Sequence, residues 1–559
     1  MSMTAQVSTA SGVSHVDADV KASGNSLGIW AMRVAFIALV VGLPMGLFQA
    51  AERSGLFPWL ESTAVYFAST TTHGVLLAFV LTTFFAMGFG YHTMAHSINK
   101  KAYFGWIGFW VSLIGTLIAA VPMLTGAASV LYTFYPPEMA HPAFYVGATL
   151  LVVGSWFWVA DMLIGFTQWK RENPGKPVPL VMFATAINAL MWGWTSLGVA
   201  SEALFQLLPV SLGIMETLDP GLARTLFSWT LHAIVYFWLI PAYIVMYTIM
   251  PKEAGGRLFS DEMARISFVM MFIFSVPIGF HHLYLDPMQA AGWKLLHMFG
   301  TFMVAVPTFI TGFTVIASLE IAGRLRGGKG LFGWIMALDW KNPVVLAGML
   351  SLLMLTAGGW GGVINASYSM DVMVHNTQWV TGHFHLIFGG TTVIMYLAGA
   401  YWLWPKITGH ALYSKTLAVW QLWLYAVGMV VLTGPWHALG LAGQPRRVSS
   451  TPYDQFPDML ASWGTYELLM IIGASMIVVS GFMFIYNLCK TASSKVAASE
   501  TEAKVEYAQA IHPPVRVPHL LNSFTFWNWA MFAYMIISYG YPILQFAFIG
   551  TPGVIPWGY

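Results

Sequence analysis

Charge is scarce in this 559-residue chain: 9% of residues are charged against 57% hydrophobic. Soluble domains keep roughly 25% charged residues to hold their surface in water, so a soluble enzyme is excluded. Cysteine is nearly absent. Cys489 stands alone beside Lys490, which rules out an internal disulfide, a zinc ribbon or a two-cysteine copper centre within the chain. The first 26 residues are polar and contain no apolar core, so no cleavable signal peptide is expected there. No glycine-rich phosphate loop and no soluble-domain repeat is found. The formal net charge of +2 offers no basic face for nucleic acid.

What the chain does have is apolar runs of the length that crosses about 30 Å of hydrocarbon, roughly 20 residues each. About 13 spans are expected, near 29–50, 64–91, 103–127, 143–168, 178–208, 224–250, 264–283, 295–320, 343–366, 376–404, 415–440, 461–488 and 523–547. The fold class is therefore all-α, a polytopic transmembrane helical bundle. Four regions are expected: a polar tail at 1–28, a transmembrane core at 29–490 holding about 12 helices, a polar surface linker at 491–522, and a last helix with its tail at 523–559. Basic residues concentrate in alternate loops: Lys100 and Lys101, then Lys170, Arg171 and Lys176, then Lys252, Arg257 and Arg265. Arg324, Arg326, Lys329 and Lys341, then Lys406 and Lys415, then Lys490, Lys495, Lys504 and Arg516 continue the alternation. The intervening loops hold only Arg53, Arg224, Lys294, Arg446 and Arg447. Positive residues stay inside, which puts the N-terminus in the cytoplasm and, with an odd span count, Tyr559 outside.

Histidine is costly in a bilayer and is usually kept there for proton, ligand or metal work. Six lie within these apolar runs: His73, His232, His281, His282, His383 and His385. As a group they read first as buried ligands to metal and haem. His232 and Tyr236 are four apart and share a helix face; as an isolated pair they would equally line a helix contact. His281 and His282 are adjacent, and neighbouring helical residues diverge by about 100°, so both reach one metal only at a helix end or a distortion. His383 and His385 are two apart, about 200° around a helix, so one helix would serve two cofactors on opposite sides. Gly74 beside His73 would let a flat macrocycle approach.

Tyr132-Thr133-Phe134-Tyr135-Pro136-Pro137, Tyr236-Phe237-Trp238-Leu239-Ile240-Pro241-Ala242-Tyr243 and Gly279-Phe280-His281-His282 resemble strings of the haem–copper oxygen reductases, subunit I. So do Ser318-Leu319-Glu320, Gly323 to Gly328, His375-Asn376-Thr377 and Gly382-His383-Phe384-His385. The match covers nearly the whole chain past the tail and is closest to the B-type branch of cytochrome c oxidases. The resemblance implies the subunit I fold, two haems and one copper. It makes His73 and His385 the axial ligands of a low-spin haem and His383 the single ligand of a high-spin haem. His232, His281 and His282 become the copper ligands. Tyr236 resembles the tyrosine that this family links covalently to a copper-ligating histidine, a phenol able to supply an electron and a proton. Arg446, Arg447, Asp371, His375 and Asn376 correspond to positions that meet haem propionates. Without the resemblance they read as ordinary loop charge.

This chain departs from the family in places. Leu231 and Ala233 stand where the family usually has Gly and Pro around the first copper histidine, which removes an expected helix irregularity. Ile234 replaces the glutamate of A-type relatives, which argues for a single proton route. Tyr236, Tyr243 and Tyr247 on one helix face, and Thr308, Thr311 and Thr314 at three-residue steps on another, would form it. Alone, these hydroxyls read as helix-contact residues. The implied activity is reduction of O₂ to water by a proton-translocating terminal oxidase in a bacterial or archaeal plasma membrane. A second subunit carrying a two-copper centre would pass electrons in from cytochrome c or a small copper protein. The alternative enzyme is a nitric oxide reductase, whose members usually lack the tyrosine and carry a glutamate near the metal. A non-catalytic transporter or haem-binding protein would need all six histidines to be incidental.

Overall fold

Asp17 starts the bundle: its side chain accepts from the Asp19 amide and caps a helix that runs unbroken over Ala18–Arg53 (α1). The computed structural model describes residues 17–451 and 453–550. Among these, twelve helices are long and apolar enough to cross a membrane. After α1 come α2 (Thr63–Ser97), α3 (Gly105–Leu124), α4 (Pro142–Glu172), α5 (Leu180–Ser211) and α6 (Pro220–Glu253). Then follow α7 (Asp261–Leu283), α8 (Ala291–Leu325), α9 (Pro343–Ala366), α10 (Gln378–Thr408), α11 (Lys415–Leu441) and α12 (Pro457–Ala492). The thirteenth expected span is helical over 525–548 (α13), in three consecutive segments, but is not among those twelve. The only strand-like pairings among the described residues are isolated bridges.

Small residues set the closest approaches, as expected where lipid gives helices no hydrophobic reason to associate. Gly108 and Gly115 of α3 meet Gly154 and Gly147 of α4, and a Cβ added at Gly115 would lie 2.6 Å from the Gly147 carbonyl oxygen. α2, α6 and α10 are the most buried of the twelve and form the centre of the bundle. Each of these three contains a π-helical turn, at Val75–Leu81, Val245–Ile249 and Phe388–Val393.

Two expectations need correction. The polar tail expected over 1–28 is helical from Ala18, because an aspartate cap and close packing of Gly24 on Ala95 and Gly28 on Gly88 outweigh its polar composition. Residues 1–16 and the C-terminal Tyr559 lie outside the described residues. The linker expected over 491–522 is a docked strap. Leu258 exchanges backbone hydrogen bonds with Gln509 and Ile511, Ala508 donates to Thr248, and Val496 and Ala498 pair with Ala411 and Gly409. Lys252 and Lys504 bond Glu506, and Lys415 bonds Glu502.

Candidate metal and haem centre

One cavity of about 1040 Å³ occupies the bundle, at the upper end of the ~300–1,000 Å³ range of ligand pockets. All six histidines line it, with Tyr236, Arg446, Arg447, Asp371, His375, Asn376 and Thr308. Thr311, Thr314, Tyr243 and Tyr247 do not reach its wall.

His383 and His385 lie on the regular part of α10, just before its π-helical turn, and point to different neighbours. His383 Nδ1 donates to the Gly358 carbonyl of α9 at 2.8 Å, and His385 Nδ1 donates to its own helix at Thr381 O, 2.9 Å. His73 of α2 ends a helical segment and donates from Nδ1 to Gly42 O of α1 at 2.9 Å. A carbonyl only accepts, so Nδ1 carries the proton in all three rings and Nε2 keeps its lone pair. The His73 and His385 rings lie 6.1 Å apart, 21° from parallel. Glycines make room for the rings: a Cβ at Gly46 would come 2.8 Å from His73, and one at Gly361 or Gly362 3.1 Å from His383. Gly74 lines the same cavity and also makes room for a second neighbour. Its missing side chain accommodates Tyr132, whose Cβ would lie 2.8 Å from an added one.

On α6 and α7, His232, His281 and His282 bring one ring nitrogen each within 4.8 Å of one another. The helical part of α7 ends at Ser275, and the chain passes Pro277 into a single 3₁₀ turn at Phe280–Leu283. That break is the distortion two adjacent histidines need to face one point. Thr301 Oγ1 donates to the His297 carbonyl at 2.7 Å, so its oxygen receives the His281 Nδ1 proton at 3.1 Å, again freeing Nε2. His232 sits on a regular turn of α6, consistent with the absent proline, and its buried Nε2 makes no hydrogen bond. Tyr236, one turn on, places its ring 4.9 Å from the His232 ring.

Below Tyr236 the hydroxyls only partly join. Tyr247 donates to Thr311 at 2.9 Å, and Ser267 of α7 bonds the same threonine at 2.7 Å. The Tyr243 hydroxyl faces Thr308 without an aligned hydrogen bond. Thr314 turns its own hydroxyl to the Ile310 carbonyl. Ser267 went unread in the sequence, since a lone serine on an apolar helix carries no signal.

At the end of the cavity between α9 and α10, His375 and Asp371 are bonded at 2.5 Å. Burial raises the Asp371 carboxyl above its usual range, against the opposing pull of His375 and Arg446. Arg446 donates from its amide to Asn376 O and from its guanidinium to Asn376 Oδ1. Burial, then the charge of Arg447, pushes Arg446 down to about 10, so it stays cationic at neutral pH. Its Nε has no partner. Arg447 lies over the Tyr132 ring at 5.5 Å. A third guanidinium, Arg53, also lines the cavity and donates to Pro445 O. Its isolation in a sparsely charged loop was the available sign.

A polytopic helical bundle enclosing imidazole nitrogens on two walls of one cavity, with cations at its rim, defines an integral-membrane protein built around metal and macrocycle cofactors. Residues 26–476 match the family of cytochrome c and quinol oxidase polypeptide I, and the chain belongs to that family. It is 40% identical over 528 residues to cytochrome c oxidase subunit 1 of Thermus thermophilus, covering 92% of this chain and 93% of that one. The corresponding subunit of Thermostichus vulcanus is 25% identical, covering 83% and 82%. A solved structure of a haem–copper terminal oxidase dimer superposes with a TM-score of 0.89 at 34% identity, covering 97% of this chain and 96% of that one. The chain is thus an oxidoreductase, the catalytic polypeptide of a terminal oxidase, and membership implies haem and copper in this subunit.

Proposed function

We propose that this chain is the catalytic subunit of a proton-translocating cytochrome c oxidase of the B type. In this reading His73 and His385 hold a low-spin haem, His383 holds a high-spin haem, and His232, His281 and His282 hold one copper. The observation that carries it is a single cavity lined by six imidazoles, three of them clustered within 4.8 Å. Four of the six imidazoles have Nδ1 tied to an acceptor, so a lone pair remains at Nε2. Imidazole suits both haem iron and copper. The glycine recesses, the unpartnered His232 Nε2 and the unpaired Arg446 Nε support the same fit.

When bound, these cofactors would relay the donor's electrons and supply the coordination site for reduction of O₂ to water. The chain's own residues do the rest. Arg446 and Arg447 neutralise and orient acidic groups at the outer rim, with Asp371, His375 and Asn376 beside them. Tyr236 holds a proton at the cavity wall. Tyr243, Tyr247, Thr308, Thr311, Thr314 and Ser267 carry protons toward it from the inner side, and the buried Tyr247–Thr311–Ser267 contacts support such a route. The basic loops and the strap bonded to Lys252 and Lys415 lie on the cytoplasmic side. Electrons enter at the outer face through a second subunit bearing a two-copper centre, from cytochrome c or a small copper protein, because one cysteine cannot build that centre here.

Nitric oxide reduction is the second reading. Ile234 in place of a glutamate, with Tyr236 beside His232, favours oxygen. The test is the content of haem, copper and non-haem iron per purified complex, after subtracting copper held by any second subunit. Two haems with one remaining copper are expected. Two haems with non-haem iron and no copper would move the assignment to nitric oxide, and absence of haem would sink it.

A further inference from the structure

His297, outside the six histidines above, is fully buried and has both ring nitrogens engaged by main chain. The segment that presents His281 and His282 lacks regular helical bonding between Ser275 and Phe280. Two of its amides, Gly279 N–H and Phe280 N–H, donate to the same atom, His297 Nδ1, at 2.9 and 3.1 Å. A ring nitrogen receiving two N–H groups carries no proton, so the proton sits on Nε2. Nε2 donates to Ser538 O at 3.2 Å, within the π-helical turn Ile536–Gly540 of α13. The ring lies flat on Phe280, with centroids 4.0 Å apart and planes 7° from parallel. The same segment is confined from two other sides. A Cβ at Gly279 would come 2.1 Å from Ser228 O of α6 and 2.5 Å from the Tyr539 hydroxyl of α13.

Both nitrogens of His297 are used by backbone, so it is neither a ligand nor a participant in proton transfer. It occupies the place a helical carbonyl would have taken. One turn on along α8, Thr301 accepts from His281. We propose that His297 is the positioning residue of the copper triad, holding the irregular segment that aims His281 and His282 and tying it to the thirteenth helix. The proposal rests on the copper reading above.

The two roles of the ring separate by substitution. His297→Asn keeps an acceptor oxygen where Nδ1 stood and drops the bond to Ser538. His297→Gln keeps a donor near Nε2 and leaves the two amides without an acceptor. His297→Phe keeps the ring on Phe280 and drops both. In the whole purified complex, copper retained through dialysis against a chelator and the infrared C–O band of carbon monoxide photolysed onto the copper report the triad directly. Loss of an outer hydrogen bond to a ligand shell costs about 10–100-fold in metal affinity. That loss, with a shifted or broadened band, is expected for Gln and Phe while both haem spectra persist. Asn is expected to keep copper and band near wild type. Full copper and an unchanged band in the Gln variant would overturn the proposal, as would an Asn variant as depleted as Gln. The Asn and Gln pair decides the matter if Phe does not assemble. Wild-type complex with no copper beyond the second subunit's would instead sink the copper reading, and this inference with it.

Discussion

The two walls of the cavity solve one problem in different ways. His73, His383 and His385 point their Nδ1 protons at main-chain carbonyls, two on neighbouring helices and one on their own. His281 relies on a threonine hydroxyl, and its segment on an imidazole. A carbonyl is present whatever residue carries it, so the first wall is robust to substitution except by steric pressure. The second wall depends on named side chains and can be dismantled one at a time.

The largest effect is expected from His383→Ala. It removes the donor on its side of α10, so oxygen reduction should fall to background and the visible spectrum should lose one haem while keeping the other. Loss of both haems together would show that the two donors of α10 are not independent. Thr301→Val comes next. It leaves the His281 Nδ1 proton without an acceptor, a cost of about 1–3 kcal/mol, and copper titration should show weaker binding of about 10-fold or more. Thr301→Ser should restore it; equal weakening in both would mean that the methyl group matters more than the hydroxyl. On the carbonyl wall, only crowding should work. Gly46→Ala pushes a methyl into the His73 ring at 2.8 Å, an overpacking cost of about 1–3 kcal/mol, and should shift the low-spin haem band without changing copper content.

The smallest effect is expected far from both walls. Lys252 first, then Lys504, hold the Glu506 carboxyl down to about 2 from an ordinary 4.5. A depressed carboxyl stabilises the docked strap above pH 4.5, and that contribution is lost as pH falls from about 4.5 toward 2. The three side chains are largely exposed, so solvent screening keeps the contribution small. Protease protection of the strap should decline over that window in the native chain and less steeply in Glu506→Gln. Identical profiles would show that the backbone bonds of Leu258 hold the strap alone.

Much of this was legible in the chain. Apolar runs marked the spans, because a lipid-crossing helix must be long and continuous. The pair His383 and His385 disclosed two directions, because the angle between helical residues is local. The adjacency of His281 and His282 called for a helix end or a distortion, because neighbouring helical residues diverge by about 100°. The start of α1 was misplaced because Asp17 looks like any tail residue until it caps a helix. The strap read as a linker because its bonds run from backbone to backbone, and backbone leaves no pattern in side chains. Gly42, Gly358, Thr301 and His297 were invisible as anchors for the same reason: what each accepts comes from another element.

The sequence by itself determined the class, the approximate spans, the imidazole donors and, for His232, His383 and His385, the helix face each occupies. These follow from composition and from a periodicity that every α-helix shares. Only the tertiary structure decided which nitrogen of each ring keeps its lone pair, how an irregular segment of α7 is held open, and that donors from α2, α6, α7 and α10 meet in one cavity. A ring's proton goes to whatever acceptor lies nearest, and that acceptor is chosen by packing between elements far apart in the chain.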